Sequence, residues 1–127
     1  MSKRVLLLEP YDSISEVIAS ILADLDYEVE TVTSGVIDEN DLRNGKYNCV
    51  FINLDQNTTE WHDHGLELAE VASDLGVPVV MIPDHETAAR TLDAKGWLHL
   101  SKPFTISNLK KVIERAIRGR DFKRRSG

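Results

Sequence analysis

The stretch YNCVFINL, residues 47–54, decides the fold of this chain. It contains an apolar run, Cys49–Leu54, that is interrupted only by Asn53 and is followed by polar residues from 55 to 63. A short apolar run bounded by polar residues is typical of a strand buried on both faces of a sheet, with a loop after it. We therefore expect Asn53 to lie at the carboxyl end of a buried strand.

The residues after this loop have the spacing of an amphipathic helix that ends before Gly76, a residue type common just beyond a helix. The apolar positions of this helix are Leu66, Leu68, Ala69, Val71, Ala72 and Leu75. Residues 77–82 are β-branched and apolar and predict the next strand. Pro83 and Asp84 then open another helix, with Asp84 as its N-cap.

Strand and helix alternate in the same way before the central stretch. The aliphatic run 5–8 predicts a strand buried on both faces. A helix follows, with a predicted capping box formed by Ser13 and Glu16. Residues 28–33 predict a less buried second strand, and residues 36–45 predict only a short helix. The apolar positions of the first helix are Ile14, Val17, Ile18, Ile21, Leu22 and Leu25.

The chain ends with a fifth strand and a last helix. Residues 98–101 are strand-like, and the last helix begins at Thr105 or Ser107. Its apolar anchors are Leu109, Val112, Ile113, Ala116 and Ile117. Five alternations of strand and helix predict an α/β fold, a doubly wound five-stranded parallel sheet with helices on both faces. We expect this domain to occupy residues 1–118 and a basic tail to occupy residues 119–127.

The composition is that of one soluble globular domain. The 127 residues are 42% hydrophobic and 28% charged, which allows a core without disulfides. The single cysteine, Cys49, lies in an apolar run and fits a reducing compartment. The apolar run at the N-terminus is too short for a signal sequence or a membrane span. We expect a cytoplasmic protein.

The net charge of -6 conceals a division along the chain. Residues 1–105 carry 7 Lys and Arg against 19 Asp and Glu, whereas residues 106–127 carry 8 against 2. The acidic body argues against nucleic-acid binding, which needs a contiguous positive surface. Positive charge after the last helix complements its dipole and needs no ligand. We therefore expect neither a nucleic acid nor a membrane as partner.

Ligands of doubly wound sheets bind outside the carboxyl ends of the strands. The residues expected to share this rim are Glu9, Pro10, Asn53, Asp55, Pro83 and Lys102.

Five segments carry a family resemblance: LLLE (6–9), residues 47–54, GLEL (65–68), VPVVMI (77–82) and KPF (102–104). With them the chain resembles the CheY-like receiver domains of bacterial response regulators, over roughly residues 3–118. The resemblance implies a flavodoxin-like fold and a role in two-component or phosphorelay signalling. In that family, acids after the first and third strands hold Mg²⁺. An aspartate of the third strand attacks a phosphohistidine, and a lysine holds the phosphoryl group.

Only part of that apparatus is present. Glu9 corresponds to the first acid, Pro10 replaces the second, and Asn53 replaces the nucleophile. An amide nitrogen is delocalised and cannot displace a phosphoryl group as a carboxylate does. Glu9 and Asp55 are the remaining weak candidates for Mg²⁺, so we expect no cofactor.

The switch residues of the family are also altered. Pro83 stands where the family has a hydroxyl, and His99 stands where it has a tyrosine or phenylalanine. Lys102 and Pro103 are retained, and the resemblance implies a cis bond that aims the lysine at the rim. Lys102 then either pairs with Glu9 or is solvated.

Three other features have both a functional and a plain interpretation. The triplet His62-Asp63-His64 offers metal ligands but lacks a third partner at helical spacing, which favours a solvated loop. Residues 55–64 form a loop longer than in typical receivers, which either contacts a partner or is tolerated surface variation. Trp97 is a candidate interface anchor, together with His99, although most tryptophans are substantially buried and Trp97 is then a core residue.

Three functions remain. The first and favoured one is a non-enzymatic pseudo-receiver that binds a histidine kinase, phosphotransfer protein or output protein without being phosphorylated. Its partner would contact the helix after Asp84, the fifth strand and the last helix, and a homodimer is compatible with it. The second is a phosphotransfer acceptor that uses Asp55. The third is an enzyme or small-ligand binder, although no glycine-rich phosphate loop or catalytic triad supports it.

Overall fold

The computed structural model describes residues 3–33, 37–54, 59–83, 97–100 and 104–126. Within these residues, strands and helices follow one another in the predicted order. They are β1 (Arg4–Leu8), α1 (Asp12–Asp24), β2 (Glu28–Val32), α2 (Glu39–Gly45), β3 (Cys49–Leu54), α3 (Thr59–Asp74), β4 (Val79–Pro83), β5 (Leu98–His99) and α4 (Ile106–Ser126). The helix predicted after Asp84 lies outside the described residues.

The strands form one parallel five-stranded sheet in the order β2-β1-β3-β4-β5. The prediction of a doubly wound parallel sheet is confirmed. Successive side chains of a strand point to opposite faces, so the sheet has a core on each side. One core contains Leu6, Ile52 and Leu68 and is covered by α2 and α3. The other contains Phe51, Ile18 and Ile113 and is covered by α1 and α4.

The predicted capping box at the start of α1 is wrong. The helix begins at Asp12, so Ser13 lies inside its first turn and cannot serve as the N-cap. Tyr11 is the N-cap and makes no side-chain capping hydrogen bond. The carboxylate of Asp12 lies in the first turn instead, where negative charge is favourable.

The loop predicted between β3 and α3 is wrong over its second half. The helix α3 begins at Thr59, so the triplet 62–64 is helical. Gly65 is buried where α3 crosses β3, and a Cβ built on it would lie 3.0 Å from Ile52 Cγ2 and 3.1 Å from Leu54 Cδ2. The predicted end of α3 is confirmed, because Gly76 adopts φ +77° just beyond it.

Smaller differences concern the ends of the other elements. The short second helix is confirmed, with a capping box between Asp38 and Asp41 that the sequence analysis did not identify. Pro83 is the last residue of β4 rather than the start of a helix. The strand β5 contains only two residues, after which the Leu100 N–H donates to the Met81 carbonyl.

The last helix is longer than the pattern of apolar anchors indicated. Thr105 Oγ1 accepts from the Asn108 N–H, and the Thr105 N–H donates to Asn108 Oδ1, which fixes the beginning of α4. The backbone of the basic segment after residue 118 continues α4 to Ser126. None of the described helices is long and apolar enough to cross a membrane.

Candidate functional site

The centre of the rim is formed by Glu9 and Asn53. Glu9 directly follows β1 and Asn53 is the fifth residue of β3, and these strands are neighbours with Leu8 opposite Ile52. Both polar side chains are fully buried. The sequence-based prediction that they share one rim is confirmed.

The two side chains bind each other directly. Asn53 Nδ2 donates to Glu9 Oε2 over 2.6 Å, and the Tyr11 N–H donates to Glu9 Oε1 over 3.4 Å. The Glu9 N–H donates to the Val32 carbonyl over 3.1 Å, which ties the rim to β2. A buried carboxylate needs such donors because its desolvation is costly. Asn53 therefore supplies the buried Glu9 carboxylate with a hydrogen-bond donor.

Two further rim residues lie beside this pair. Pro10 is half-buried after Glu9, and Pro83 is buried with its Cα opposite that of Leu54. Neither has a backbone N–H or a side-chain donor that could hold a phosphoryl oxygen. Asp55, Lys102 and Pro103 lie outside the described residues.

Trp97 and His99 are both partly buried on one side of β5. Trp97 packs against the core under α3, and its Nε1 donates to Ser73 Oγ over 3.3 Å. His99 pairs with Met81 in the register of β4 and β5. Trp97 therefore has a structural role in addition to any contact with a partner.

The histidine triplet contributes a contact between helices. His64 Nε2 accepts from the Ile37 N–H over 3.1 Å, which links α3 to the residues before α2. Asp63 is exposed. The described residues contain no group of three His, Cys, Asp or Glu side chains placed to hold a metal ion.

A polar cluster that was not predicted from the sequence lies at the opposite end of the sheet. The Arg4 side chain lies 3.7 Å from Glu28 and 3.5 Å from Glu30, and its guanidinium lies 5.1 Å from the centre of the Tyr47 ring. The Tyr47 hydroxyl donates to Glu30. The cluster depends on the register of the parallel strands, which places Arg4 opposite Glu28 and which the sequence alone does not reveal.

The environment of Tyr47 changes its titration. Burial raises the pKa of Tyr47 to about 12, and the hydrogen bond to Glu30 adds to the shift while Arg4 opposes it. The phenol therefore remains protonated well above the pH at which a solvated tyrosine ionises.

Comparisons with known proteins agree with this geometry. Regulatory protein VanRB of Enterococcus faecalis (strain ATCC 700802 / V583) is 31% identical over 121 residues, which cover 93% of this chain. The matched region is 54% of VanRB, so the chain spans about half the length of this curated relative. No protein-family model matches the chain.

Solved structures establish the fold. A response regulator receiver protein from Sinorhizobium medicae WSM419 superposes with a TM-score of 0.78 at 24% identity, over 94% of this chain and 97% of the other. A CheY-like receiver domain protein from Methanospirillum hungatei JF-1 superposes with a TM-score of 0.76 at 19% identity, over 97% and 99% of the two chains. The chain has the CheY-like, flavodoxin-like receiver fold. The sequence relationship to VanRB supports the resemblance to response regulators.

Proposed function

We propose that this domain acts in two-component or phosphorelay signalling as a pseudo-receiver, a protein-interaction module that works without phosphorylation. The observation that carries the proposal is the hydrogen bond from Asn53 to Glu9. A pair of carboxylates at this distance would repel each other and would need a cation between them. An amide makes the pair attractive without a cation, so the rim is stable in the absence of Mg²⁺ and phosphate.

The chemistry of position 53 supports the same conclusion. The nitrogen of an amide is not a nucleophile toward phosphorus. Hard Mg²⁺ prefers carboxylate and phosphate oxygens, and Asn53 directs its nitrogen toward Glu9. We therefore propose that the domain is not an enzyme and that it binds Mg²⁺ weakly or not at all.

The proposed partner is a histidine kinase, a phosphotransfer protein or an output protein in the cytoplasm, rather than a nucleic acid or a membrane. The contact surface would include β5, α4 and the segment after Asp84, with Trp97 and His99 at its centre. Partly buried aromatic residues are frequent anchors of such interfaces.

The test is to incubate the protein with acetyl phosphate and Mg²⁺ and to measure its intact mass. We expect no change, and we expect Asn53→Asp alone to recover little phosphorylation because Pro10 and Pro83 remain. An acid-labile gain of about 80 Da, the mass of one phosphoryl group, would contradict the proposal. Its location on Asp55 would identify the second mechanism.

A further inference from the structure

The end of α2 contains an asparagine followed directly by a glycine. Asn44 is exposed in the last turn of the helix, and Gly45 is its last residue. A Cβ built on Gly45 would overlap the ring of Tyr47, so the packing of Tyr47 requires glycine at this position. Since glycine has no Cβ, it leaves its backbone nitrogen open to a reaction with the side-chain amide of the preceding asparagine.

The Arg4 side chain fixes this end of the helix. Its guanidinium donates to the Gly45 carbonyl. The helix itself is short, with seven residues of which only Leu42 is buried. Helices of this length are marginal without tertiary contacts, and their ends open locally. The contact from Arg4 to Gly45 therefore limits how often the last turn of α2 opens.

We propose that Asn44 is a site of spontaneous conversion to aspartate and isoaspartate, and that the contact between Arg4 and Gly45 controls the rate. In the closed helix the N–H of Gly45 points along the axis toward the carbonyl four residues earlier, away from the side chain of Asn44. The reaction therefore proceeds from the open form of the last turn. This site lies at the opposite end of the sheet from Glu9 and is independent of phosphorylation.

The reaction needs only water. The Gly45 nitrogen attacks Cγ of Asn44, the bond from Cγ to Nδ2 breaks, and Nδ2 leaves as ammonia with the proton that the Gly45 nitrogen gives up. The product is a five-membered succinimide. Water then opens this ring at one of its two carbonyls. Attack at Cγ gives aspartate, and attack at the backbone carbonyl gives isoaspartate, in which the chain continues through the side chain.

Both products disturb the end of α2. Each adds a negative charge close to the C-terminus of a helix, where negative charge is unfavourable. Isoaspartate also inserts a carbon atom into the backbone before Gly45, a residue that is fixed by the Tyr47 ring and by Arg4. The conversion therefore separates α2 from the Arg4 cluster.

The test is to age the full chain in mildly alkaline buffer and to map its peptides by mass spectrometry, with an isoaspartyl methyltransferase to label isoaspartate. We expect conversion at Asn44. Two exposed asparagines are internal controls, because a residue with a side chain follows each of them. Asn40 precedes Asp41 on the same helix, and Asn108 precedes Leu109 on α4. Both should convert far more slowly than Asn44.

Arg4→Ala tests the control of the rate. The variant should convert Asn44 about fivefold faster than wild type, which is the change in open population that the loss of one hydrogen bond produces. Arg118→Ala is the matched control, because it removes an exposed arginine and its ion pair with Glu114 on α4. It should leave the rate at Asn44 unchanged. In concentrated urea no helix remains to protect Asn44, so wild type and Arg4→Ala should convert at one common, higher rate.

Three results would overturn the proposal. The first is a wild type in which Asn44 converts no faster than Asn40. The second is an Arg4→Ala variant whose rate at Asn44 in native buffer equals that of wild type. The third is a faster rate in Arg4→Ala that persists in urea or that extends equally to Asn108, since the substitution would then act without the folded end of α2 or by unfolding the whole chain.

Discussion

The amide at position 53 has consequences for stability as well as for chemistry. Asn53 and Glu9 are fully buried and joined over 2.6 Å. A hydrogen bond to a charged group contributes about 1.5–3 kcal/mol, and a buried partner left without its donor is costly. The pair therefore stabilises the junction of β1 and β3.

Asn53→Asp should destabilise the protein at neutral pH by about 1–3 kcal/mol, because it places two carboxylates together in a buried site. Repulsion raises the pKa of the pair in the folded state above the unfolded value of about 4. The contribution of the pair to the free energy of unfolding is then full below the unfolded pKa. It is lost as the pH rises through the raised pKa of the folded state. Urea unfolding of the variant relative to wild type at pH 5 and pH 8 measures the effect, and Mg²⁺ should restore part of the loss at pH 8.

The matched control is Asn48→Asp. Asn48 Oδ1 accepts from the Arg4 N–H over 2.8 Å, and a carboxylate can accept the same bond near a positive side chain. This variant should lose little stability at either pH. Equal losses in both variants would show that the Asn53 effect does not arise from Glu9.

The phenol of Tyr47 provides a second measurement at the residue scale. Its pKa is raised to about 12, first by burial and then by Glu30. A raised folded pKa means that its contribution to stability is full below about pH 10, the unfolded value, and is lost as the pH rises through 12. Tyrosinate absorbance is measured as a function of pH in wild type and in Tyr47→Phe. The difference between the two titration curves should have its midpoint near pH 12. A difference centred near pH 10 would contradict the assigned environment.

At the scale of the elements, the packing of α3 on β3 depends on a residue without a side chain. Gly65→Ala would place a methyl group 3.0–3.1 Å from the buried side chains of Ile52 and Leu54. Overpacking costs about 1–3 kcal/mol and exceeds the gain in helix propensity of about 1 kcal/mol. We expect a net loss of about 1 kcal/mol in the free energy of unfolding, measured with urea.

Gly119→Ala on α4 is the control for this change. A Cβ at Gly119 meets no atom within 4 Å, so only the helix propensity changes. Stability should rise by about 0.5–1 kcal/mol. A gain of similar size in Gly65→Ala would show that α3 can move away from the sheet without loss.

The sequence predicted best those elements whose apolar pattern is compatible with only one type of secondary structure. The aliphatic run 5–8 and the run Cys49–Leu54 are buried on both faces, and a parallel sheet is the structure that requires this. The beginning of α3 was missed because residues 59–63 are mostly polar and carry no helical period of apolar positions. The helix forms there without an apolar pattern, and periodicity in the sequence cannot reveal such a helical segment.

The site was predictable as a set of positions but not as a set of contacts. Glu9 and Asn53 were placed on one rim because parallel strands end at one edge. The donation from Asn53 to Glu9 depends on the side-chain geometry at that edge, and the Arg4 cluster depends on the register of β1 and β2. Register is a tertiary property, so residues distant in sequence carried no local signal.

At the scale of the whole molecule, receiver domains are two-state elements, and a ligand shifts the balance only by its difference in affinity for the two states. A change from 1:99 to 99:1 needs about 10⁴-fold difference in affinity. Under the proposed function no phosphoryl group is attached to this chain, so phosphorylation supplies no such difference. The bond between Asn53 and Glu9 instead holds β1 and β3 in one arrangement, so we expect this molecule to populate one conformation.

Amide NMR spectra of the wild type with and without Mg²⁺ and beryllofluoride, which mimics an acyl phosphate, test this expectation. The peaks of Trp97 and His99 should not move, because the altered rim cannot hold the mimic. The positive control is a triple variant, Asn53→Asp with Pro10→Asp and Pro83→Thr, which restores the carboxylates and the hydroxyl and should respond. Shifts at His99 in the wild type would show that the rim still binds a phosphoryl mimic and that β5 still reports it. A silent wild type beside a responsive triple variant would show that these three positions alone separate this chain from a switching receiver.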